Sequence, residues 1–142
     1  MLVRCLYASR PSPTLQAADL QLIFQQSRRN NPLMGVTGLL CVSENLFIQV
    51  LEGGRDEVCD LYNSIVRDER HHQTRLLIYQ EIAERQFGNW TMGQVNIDKL
   101  NPALVLKYFK RVELDPFECS GAATLSLISD LVATASIANR IE

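Results

Sequence analysis

Two polar side chains that could take part in chemistry stand in runs that are otherwise apolar. Tyr7 lies in LVRCLYAS (residues 2–9), and Gln49 lies in LFIQVLEGG (residues 46–54). Both runs are typical of buried strands, and a buried amide or phenol without a hydrogen-bond partner costs about 1–3 kcal/mol. A Tyr hydroxyl and a Gln amide can satisfy each other. The residues alone leave open whether this pair serves only the core or also contacts a bound ligand.

Three further groups could contact a ligand, and each also has a structural explanation. Asn30 and Asn31 follow a predicted helix, where carboxamides can contact the edge of a heterocycle or satisfy the helix end. The corner DERHH (68–72) could contact an anion or be simply solvated. Its adjacent histidines point apart, so we expect no metal site. Trp90 and Met92 are predicted to share one strand face, where such pairs are commonly core residues.

The composition excludes several classes of protein. With 46% apolar and 21% charged residues the chain is typical of a globular domain, and a net charge of −2 argues against a nucleic-acid or anionic-membrane binder. No span is long and apolar enough to cross a membrane. The four cysteines form no CxxC, and no P-loop or nucleophile elbow occurs. We therefore expect a cytoplasmic protein with reduced thiols and no enzymatic activity.

The elements that must position these side chains alternate in the order β-α-β-β-α-β-β. That order is typical of an α+β, ferredoxin-like fold, in which two helices pack on one face of a mixed sheet. The first and third strands are then neighbours, so Tyr7 and Gln49 could meet on the helix-covered face. The predicted strands are 2–8, 35–43, 46–52, 75–82 and 90–96, and the predicted helices are 14–27 and one that begins at about Arg55.

The first helix and the tail carry the remaining structural predictions. Thr14 is predicted to cap the first helix, and Pro32 is predicted to end it. The tail is predicted to form helices 102–110 and 119–138. We therefore divide the chain into a domain of residues 1–97 and a C-terminal extension of residues 98–142, which we expect to pack on the open face of the sheet or on a partner.

Six stretches together resemble the BLUF domain, a family of flavin-binding blue-light sensors. They occur in register over residues 1 to 97, and their order follows the predicted strands and helices. A single such stretch would be weak, whereas six in order are specific. The stretches read Tyr7-Ala8-Ser9, RRNNP (28–32), GVTGLLC (35–41), FIQVLEGG (47–54), RDERHH (67–72) and WTM (90–92).

The resemblance implies a cofactor site between the two helices and the sheet. The cofactor would be a flavin, normally FAD. Some relatives carry an arginine at the position of Ser64, facing the cofactor tail, and serine cannot make that charged contact. FMN and riboflavin therefore stay open as alternatives. Gln49 would bridge the Tyr7 hydroxyl and the flavin. The other implied cofactor-binding residues are Ile23, Asn30, Asn31, Ile65, Asp68, Arg70 and His71.

The resemblance also implies a photochemical mechanism and a partner. After light absorption Tyr7 would donate an electron and a proton, and Gln49 would pass the proton and end rotated or tautomerised. Trp90 or Met92 would carry the change to the fifth strand. We expect a separate downstream signalling protein and a homo-oligomer, with no nucleic-acid, membrane or metal partner. The residues leave two alternatives: a ferredoxin-like acyl-phosphate hydrolase and a light-insensitive interaction domain.

Overall fold

The computed structural model describes residues 1–134 and 138–140, which form one mixed sheet with helices on both faces. Within this described part no helix is both long and apolar enough to span a membrane. The strands are β1 (Leu2–Pro11), β2 (Thr37–Val42), β3 (Phe47–Gly54), β4 (His71–Ile82), β5 (Trp90–Asn96) and β6 (Ala138–Arg140). The helices are α1 (Ala17–Met34), α2 (Arg55–Arg67), α3 (Pro102–Tyr108) and α4 (Gly121–Thr134).

The predicted ferredoxin-like α+β fold is confirmed. The strands lie in the order β4-β1-β3-β2-β5-β6, so β1 and β3 are neighbours, as the element order predicted. They pair in antiparallel register with Tyr7 opposite Gln49, while β2 and β5 are parallel. The short β6 extends the sheet beyond the five predicted strands.

Alternation of side chains along the strands divides the interior into two cores. The helix-side core lies between the sheet and helices α1 and α2, and the tail-side core lies between the sheet and helices α3 and α4. The helix-side core contains Val3, Cys5, Tyr7, Ile23, Phe24, Val36, Leu40, Val42, Phe47, Leu51, Val58 and Met92. The tail-side core contains Leu6, Ala8, Leu39, Cys41, Leu46, Ile48, Val50, Phe87, Trp90, Val95, Ile97, Val105, Phe109, Leu127, Ile128 and Leu131.

Helix α1 begins later and ends later than predicted. It begins after Gln16, whose backbone N–H donates to the Asp19 carboxylate at 2.8 Å, so Thr14 is not its cap. Pro32 lies inside the last turn, where its missing N–H removes only one helical hydrogen bond. The helix ends at Gly35, which takes the left-handed conformation (φ 68°) that glycine adopts without a Cβ clash. Asn31 is therefore a helical residue and not a corner residue.

Boundaries of β4 and of the tail helices also differ from prediction. Strand β4 begins at His71 and not at residue 75, because His71 and His72 pair with Pro11 and Arg10 at the end of β1. In the tail, α3 ends at Tyr108 and α4 spans Gly121–Thr134. The prediction that the last helix reaches residue 138 is wrong, since 138–140 form β6 against β5; residues 135–137 lie outside the described residues.

The apolar faces of the tail helices are covered by the chain's own sheet. Val105 and Phe109 at α3, and Leu127, Ile128 and Leu131 on α4, are buried in the tail-side core. Burial of such side chains is worth about 1.5–3 kcal/mol each relative to exposure. The division of the chain at residue 97 remains a prediction.

A buried ion pair fixes the loop between β4 and β5 to the tail-side face of the sheet. The Glu52 side chain has no exposed surface, and its carboxylate accepts from Arg4 Nε at 2.8 Å. It also accepts the backbone N–H groups of Gln86 (3.1 Å) and Phe87 (2.5 Å). The Gln86 amide then donates to Ser129 Oγ on α4 at 2.8 Å. One carboxylate thus connects β3, β1 and the loop that contacts α4.

Glu52→Ala is expected to lower the free energy of unfolding by about 3–5 kcal/mol, because it leaves the Arg4 charge and two backbone N–H groups buried without an acceptor. Glu81→Ala is the matched control: Glu81 pairs with Arg55 in the solvent-exposed part of the structure, and its loss is expected to cost about 1 kcal/mol or less. Urea unfolding followed by circular dichroism measures both, and equal losses would contradict the role of Glu52.

Candidate functional site

A cavity opens between α1, α2 and the helix-covered face of the sheet. Its volume is about 430 Å³, within the roughly 300–1,000 Å³ usual for small-molecule sites. The structure brings all nine predicted cofactor-binding residues to its wall. They are Tyr7, Ile23, Asn30, Asn31, Gln49, Ile65, Asp68, Arg70 and His71.

Tyr7 and Gln49 form a hydrogen bond at the floor of this cavity. Tyr7 is 0% exposed and Gln49 is 4% exposed, and the Tyr7 hydroxyl donates to Gln49 Oε1. The Gln49 Nε2 group in turn donates to the Met92 sulfur at 3.3 Å. Burial raises the pKa of Tyr7 well above 10, so the phenol is neutral and keeps its proton for this hydrogen bond. The amide is therefore held at both ends.

Met92, and not Trp90, lies beside Gln49. Met92 belongs to the helix-side core and Trp90 to the tail-side core, so the prediction that they share a face is wrong. The pairing of β5 with β2 begins only at Gly93, opposite Leu39. Trp90 pairs instead with β6, and this pairing is irregular between Trp90 and Gln94, which breaks the alternation of side chains between Trp90 and Met92. The Trp90 indole N–H is buried with no hydrogen-bond partner among the described residues.

Asn31 presents an unsatisfied donor at the cavity wall. Its side chain is 2% exposed, and its Nδ2 group has no hydrogen-bond partner among the described residues. Because an unpaired buried donor costs about 1–3 kcal/mol, the site is suited to a ligand that brings an acceptor. A flavin ring, with its carbonyl oxygens and flat apolar faces, fits this donor and the apolar Ile23 and Ile65 that also line the cavity. Asn30 lies at the exposed mouth.

The charged residues of the corner neutralise each other. Arg70 Nε donates to both oxygens of the Asp68 carboxylate at 3.0 Å, and its Nη2 also donates to Gln26 Oε1 at 3.1 Å. The hydrogen bonds from Arg70 lower the pKa of Asp68. This pair therefore adds little net charge beside the buried phenol of Tyr7.

His71 is buried between the corner and the floor of the cavity. Its Nδ1 lies 2.9 Å from Ser9 Oγ, and its ring packs on Phe47 with centroids 4.9 Å apart. Burial lowers the pKa of His71 to about 4. The ring is consequently neutral at physiological pH and adds no positive charge next to Tyr7.

Several lining residues were missed by the sequence reasoning. Leu40 lies opposite Gln49 across the β2–β3 pair, and Leu61 precedes Ile65 by one turn of α2. The i, i+4 spacing could have identified Leu61. Leu40 required the register of the hairpin, which the sequence does not specify uniquely.

Comparison with known proteins gives one family. The family model described as sensors of blue-light using FAD (BLUF) matches residues 2–93. A photoactivated adenylate cyclase subunit beta from Euglena longa is 32% identical over 95 residues, which are 66% of this chain but 11% of that protein. The chain thus spans about a tenth of the length of this curated relative.

Solved structures match over nearly the whole chain. The photo-activated state of BlsA superposes with a TM-score of 0.86 at 28% identity, covering 96% of this chain and 97% of that one. The dark-state structure of BlrB, a BLUF protein, gives a TM-score of 0.77 at 28% identity and covers 93% and 95% of the two chains. The likeness therefore includes the tail helices as well as residues 2–93.

The neutral, buried His71 predicts a pH dependence of stability. The unfolded chain protonates this histidine below about pH 6.5, whereas the folded chain does so only near pH 4. The unfolded state therefore binds more protons between these values, and stability falls as the pH is lowered. We expect a loss of about 2 kcal/mol between pH 7.5 and pH 5 from this group.

Urea unfolding at the two pH values measures the effect in His71→Gln, which should lose this part of the pH dependence. His72→Gln, at the neighbouring exposed position, is the control and should keep it. An unchanged pH dependence in His71→Gln would contradict the assignment.

Proposed function

The chain belongs to the BLUF family of blue-light flavin sensors, and from that premise we propose that Tyr7, Gln49 and Met92 form its photoactive group. The observation that carries this proposal is the buried chain of hydrogen bonds from the Tyr7 hydroxyl through Gln49 to the Met92 sulfur. Its Tyr7 and Gln49 side chains line a cavity of suitable size. The bound flavin supplies light absorption and the capacity to accept an electron and a proton.

The amide of Gln49 can act as a two-state element. Its carbonyl end accepts from Tyr7 and its NH₂ end donates to Met92, so exchange of the two ends rewires both hydrogen bonds without large motion. Tyr7 supplies the electron and proton, and Gln49 passes the proton toward the cavity. In the rearranged state the Met92 sulfur no longer accepts a hydrogen bond from Gln49. Loss of this contact between β3 and β5 allows β5 to shift. Rotation and tautomerisation of Gln49 both produce this exchange.

We propose that Asn31 holds the flavin ring and that Ile23 and Ile65 pack on its faces. The edge of the proposed flavin site is formed by Asn30, Asp68, Arg70 and His71. FAD is the proposed flavin. The phosphate-bearing part of FAD would meet Ser64 and not an arginine, and Arg70 is already bonded to Asp68, so FMN and riboflavin are the alternative ligands.

The proposed output is binding of a separate downstream signalling protein by a homo-oligomeric, cytoplasmic photoreceptor. The tail helices use most of their apolar side chains in the tail-side core. Leu106 on α3 and Val112 in the loop between α3 and α4 remain exposed for a partner. The net charge of −2 does not favour nucleic acid. The comparisons support the sensor and neither the acyl-phosphate hydrolase nor a light-insensitive interaction domain.

Tyr7→Phe is expected to bind flavin and to lose the small, reversible red shift of the flavin absorption band under blue light, because the phenol proton and its bond to Gln49 are gone. Tyr108→Phe, in the tail and hydrogen-bonded to Asp130, is the matched control and should keep the shift. Absorption spectra before and after illumination measure both. A full shift in Tyr7→Phe would refute the assigned role.

Asn31→Ala is expected to weaken flavin binding by roughly tenfold to a hundredfold, corresponding to about 1–3 kcal/mol for the lost hydrogen bond. Titration of the flavin-free protein with riboflavin, FMN and FAD, followed by fluorescence quenching, measures the dissociation constants. Asn63→Ala, on the exposed side of α2, is the control and should bind as the wild type does. Equal affinities in the two variants would exclude Asn31 from the site.

A further inference from the structure

A second tyrosine lies directly against the ring of Tyr7. The ring of Tyr62, on α2, meets the ring of Tyr7 edge to face, with centroids 5.6 Å apart and planes at 63°. This geometry is within the range of direct aromatic contact. Tyr62 does not line the cavity, so contact with a ligand does not explain its position against Tyr7.

The row of oxidisable side chains continues from Tyr62 to the protein surface. Tyr62 is half-buried, and Cys59 lies three residues earlier on the same face of α2. The Cys59 sulfur is 3.3 Å from the hydroxyl of Tyr79 on β4, and Tyr79 is 41% exposed. Tyrosine and cysteine are among the side chains most readily oxidised by one electron. Tyr7 is thus linked to solvent by three residues of this kind.

We propose that Tyr62, Cys59 and Tyr79 form an electron-supply route that refills Tyr7 after light has oxidised it. The proposal rests on the proposed function, since the flavin is the oxidant of Tyr7. An electron that reaches Tyr7 along this route restores Tyr7 without rearranging Gln49. The electron that Tyr7 gave up then stays with the flavin until dioxygen, the co-reactant on that side, removes it. The route therefore competes with return of the electron from the flavin to Tyr7, which is the step that leaves Gln49 rearranged. It also moves the site of oxidation from buried Tyr7 to the protein surface.

Each step of the route is a one-electron exchange. The Tyr7 radical takes an electron from Tyr62 and recovers its proton through Gln49, along the path by which that proton left. Tyr62, which is nearer solvent, releases its phenolic proton to water. Cys59 or Tyr79 then reduces the Tyr62 radical: it gives up one electron and releases its own proton to water, and Tyr62 takes a proton back from water. A soluble thiol is the co-reactant that reduces the surface radical by donating a hydrogen atom, and two resulting thiyl radicals couple to a disulfide.

Burial explains why the oxidising equivalent should leave Tyr7. Burial raises the pKa of Tyr7 well above 10, whereas Tyr62 is only partly enclosed. An enclosed phenoxyl has no solvent to take part in its proton exchange, while the half-buried Tyr62 has direct access to water. Trp90, another oxidisable ring, is on the other face of the sheet in the tail-side core, so it does not provide an equivalent exit.

Radical trapping tests the route. The flavin-loaded full chain is illuminated with blue light without oxygen or thiol, in the presence of the spin trap 2-methyl-2-nitrosopropane, and adducts are located by peptide mass spectrometry. In the wild type we expect adducts at Tyr62, Cys59 or Tyr79. In Tyr62→Phe, adducts at Cys59 and Tyr79 should fall several-fold and those at Tyr7 should rise. Tyr108→Phe removes a phenol from the tail and should leave the wild-type pattern.

The flavin absorption shift is recorded on the same samples. Tyr62→Phe should keep the reversible red shift, with a yield equal to or above that of the wild type. Wild-type adducts confined to Tyr7, or an unchanged pattern in Tyr62→Phe, would overturn the route while leaving the proposed function intact. Absence of a reversible shift in the wild type would overturn the proposed function and this inference with it. Tyr79→Phe, which should remove only the outermost adduct, checks the order of the steps.

Discussion

The need to satisfy one amide buried inside a strand organises the functional half of this protein. Gln49 lies in the middle of β3 with apolar residues on either side. Burial of its amide would destabilise the fold unless each end of the amide has a hydrogen-bond partner. Tyr7 supplies one partner from β1 and Met92 supplies the other from β5. Because both partners come from other strands, the two hydrogen bonds of the amide depend on the relative positions of β1, β3 and β5.

The two faces of the sheet handle buried polar groups differently. On the tail side, Glu52 accepts hydrogen bonds from Arg4 and from two backbone N–H groups, which fixes the β4–β5 loop. On the helix side, Asn31 keeps a donor free and Gln49 has a weak sulfur acceptor at one end. The carboxylate network of Glu52 on the tail side is thus fully paired, whereas the hydrogen bonds of Gln49 on the helix side can be exchanged.

The charges around Tyr7 are arranged so that the phenol stays neutral. His71 is held uncharged by burial, and the charge of Arg70 is taken up by Asp68. An unpaired cation at either position would favour the phenolate and would remove the proton that Tyr7 donates to Gln49. In the sequence the corner at residues 68–72 could have been an anion site. In the structure its Asp68 and Arg70 neutralise each other, so its main effect is to keep net charge away from Tyr7. The edge-to-face contact with Tyr62 adds an oxidisable neighbour without adding charge.

The sequence by itself determined the order of the elements and, through it, the pairing of β1 with β3, because hydrophobic periodicity and strand alternation are local properties. It placed Tyr7 against Gln49 correctly. The resemblance to the BLUF family named nine residues of the cavity wall, whereas Leu40 and Leu61 were found only in the structure. Only the tertiary structure decided that Asn31 belongs to α1, since the stop at Gly35 outweighs Pro32. It also separated Trp90 from Met92, because the pairing of β5 with β6 is irregular between Trp90 and Gln94. The contact of Tyr62 with Tyr7 likewise depends on how α2 packs across β1, and no spacing within the sequence encodes that distance.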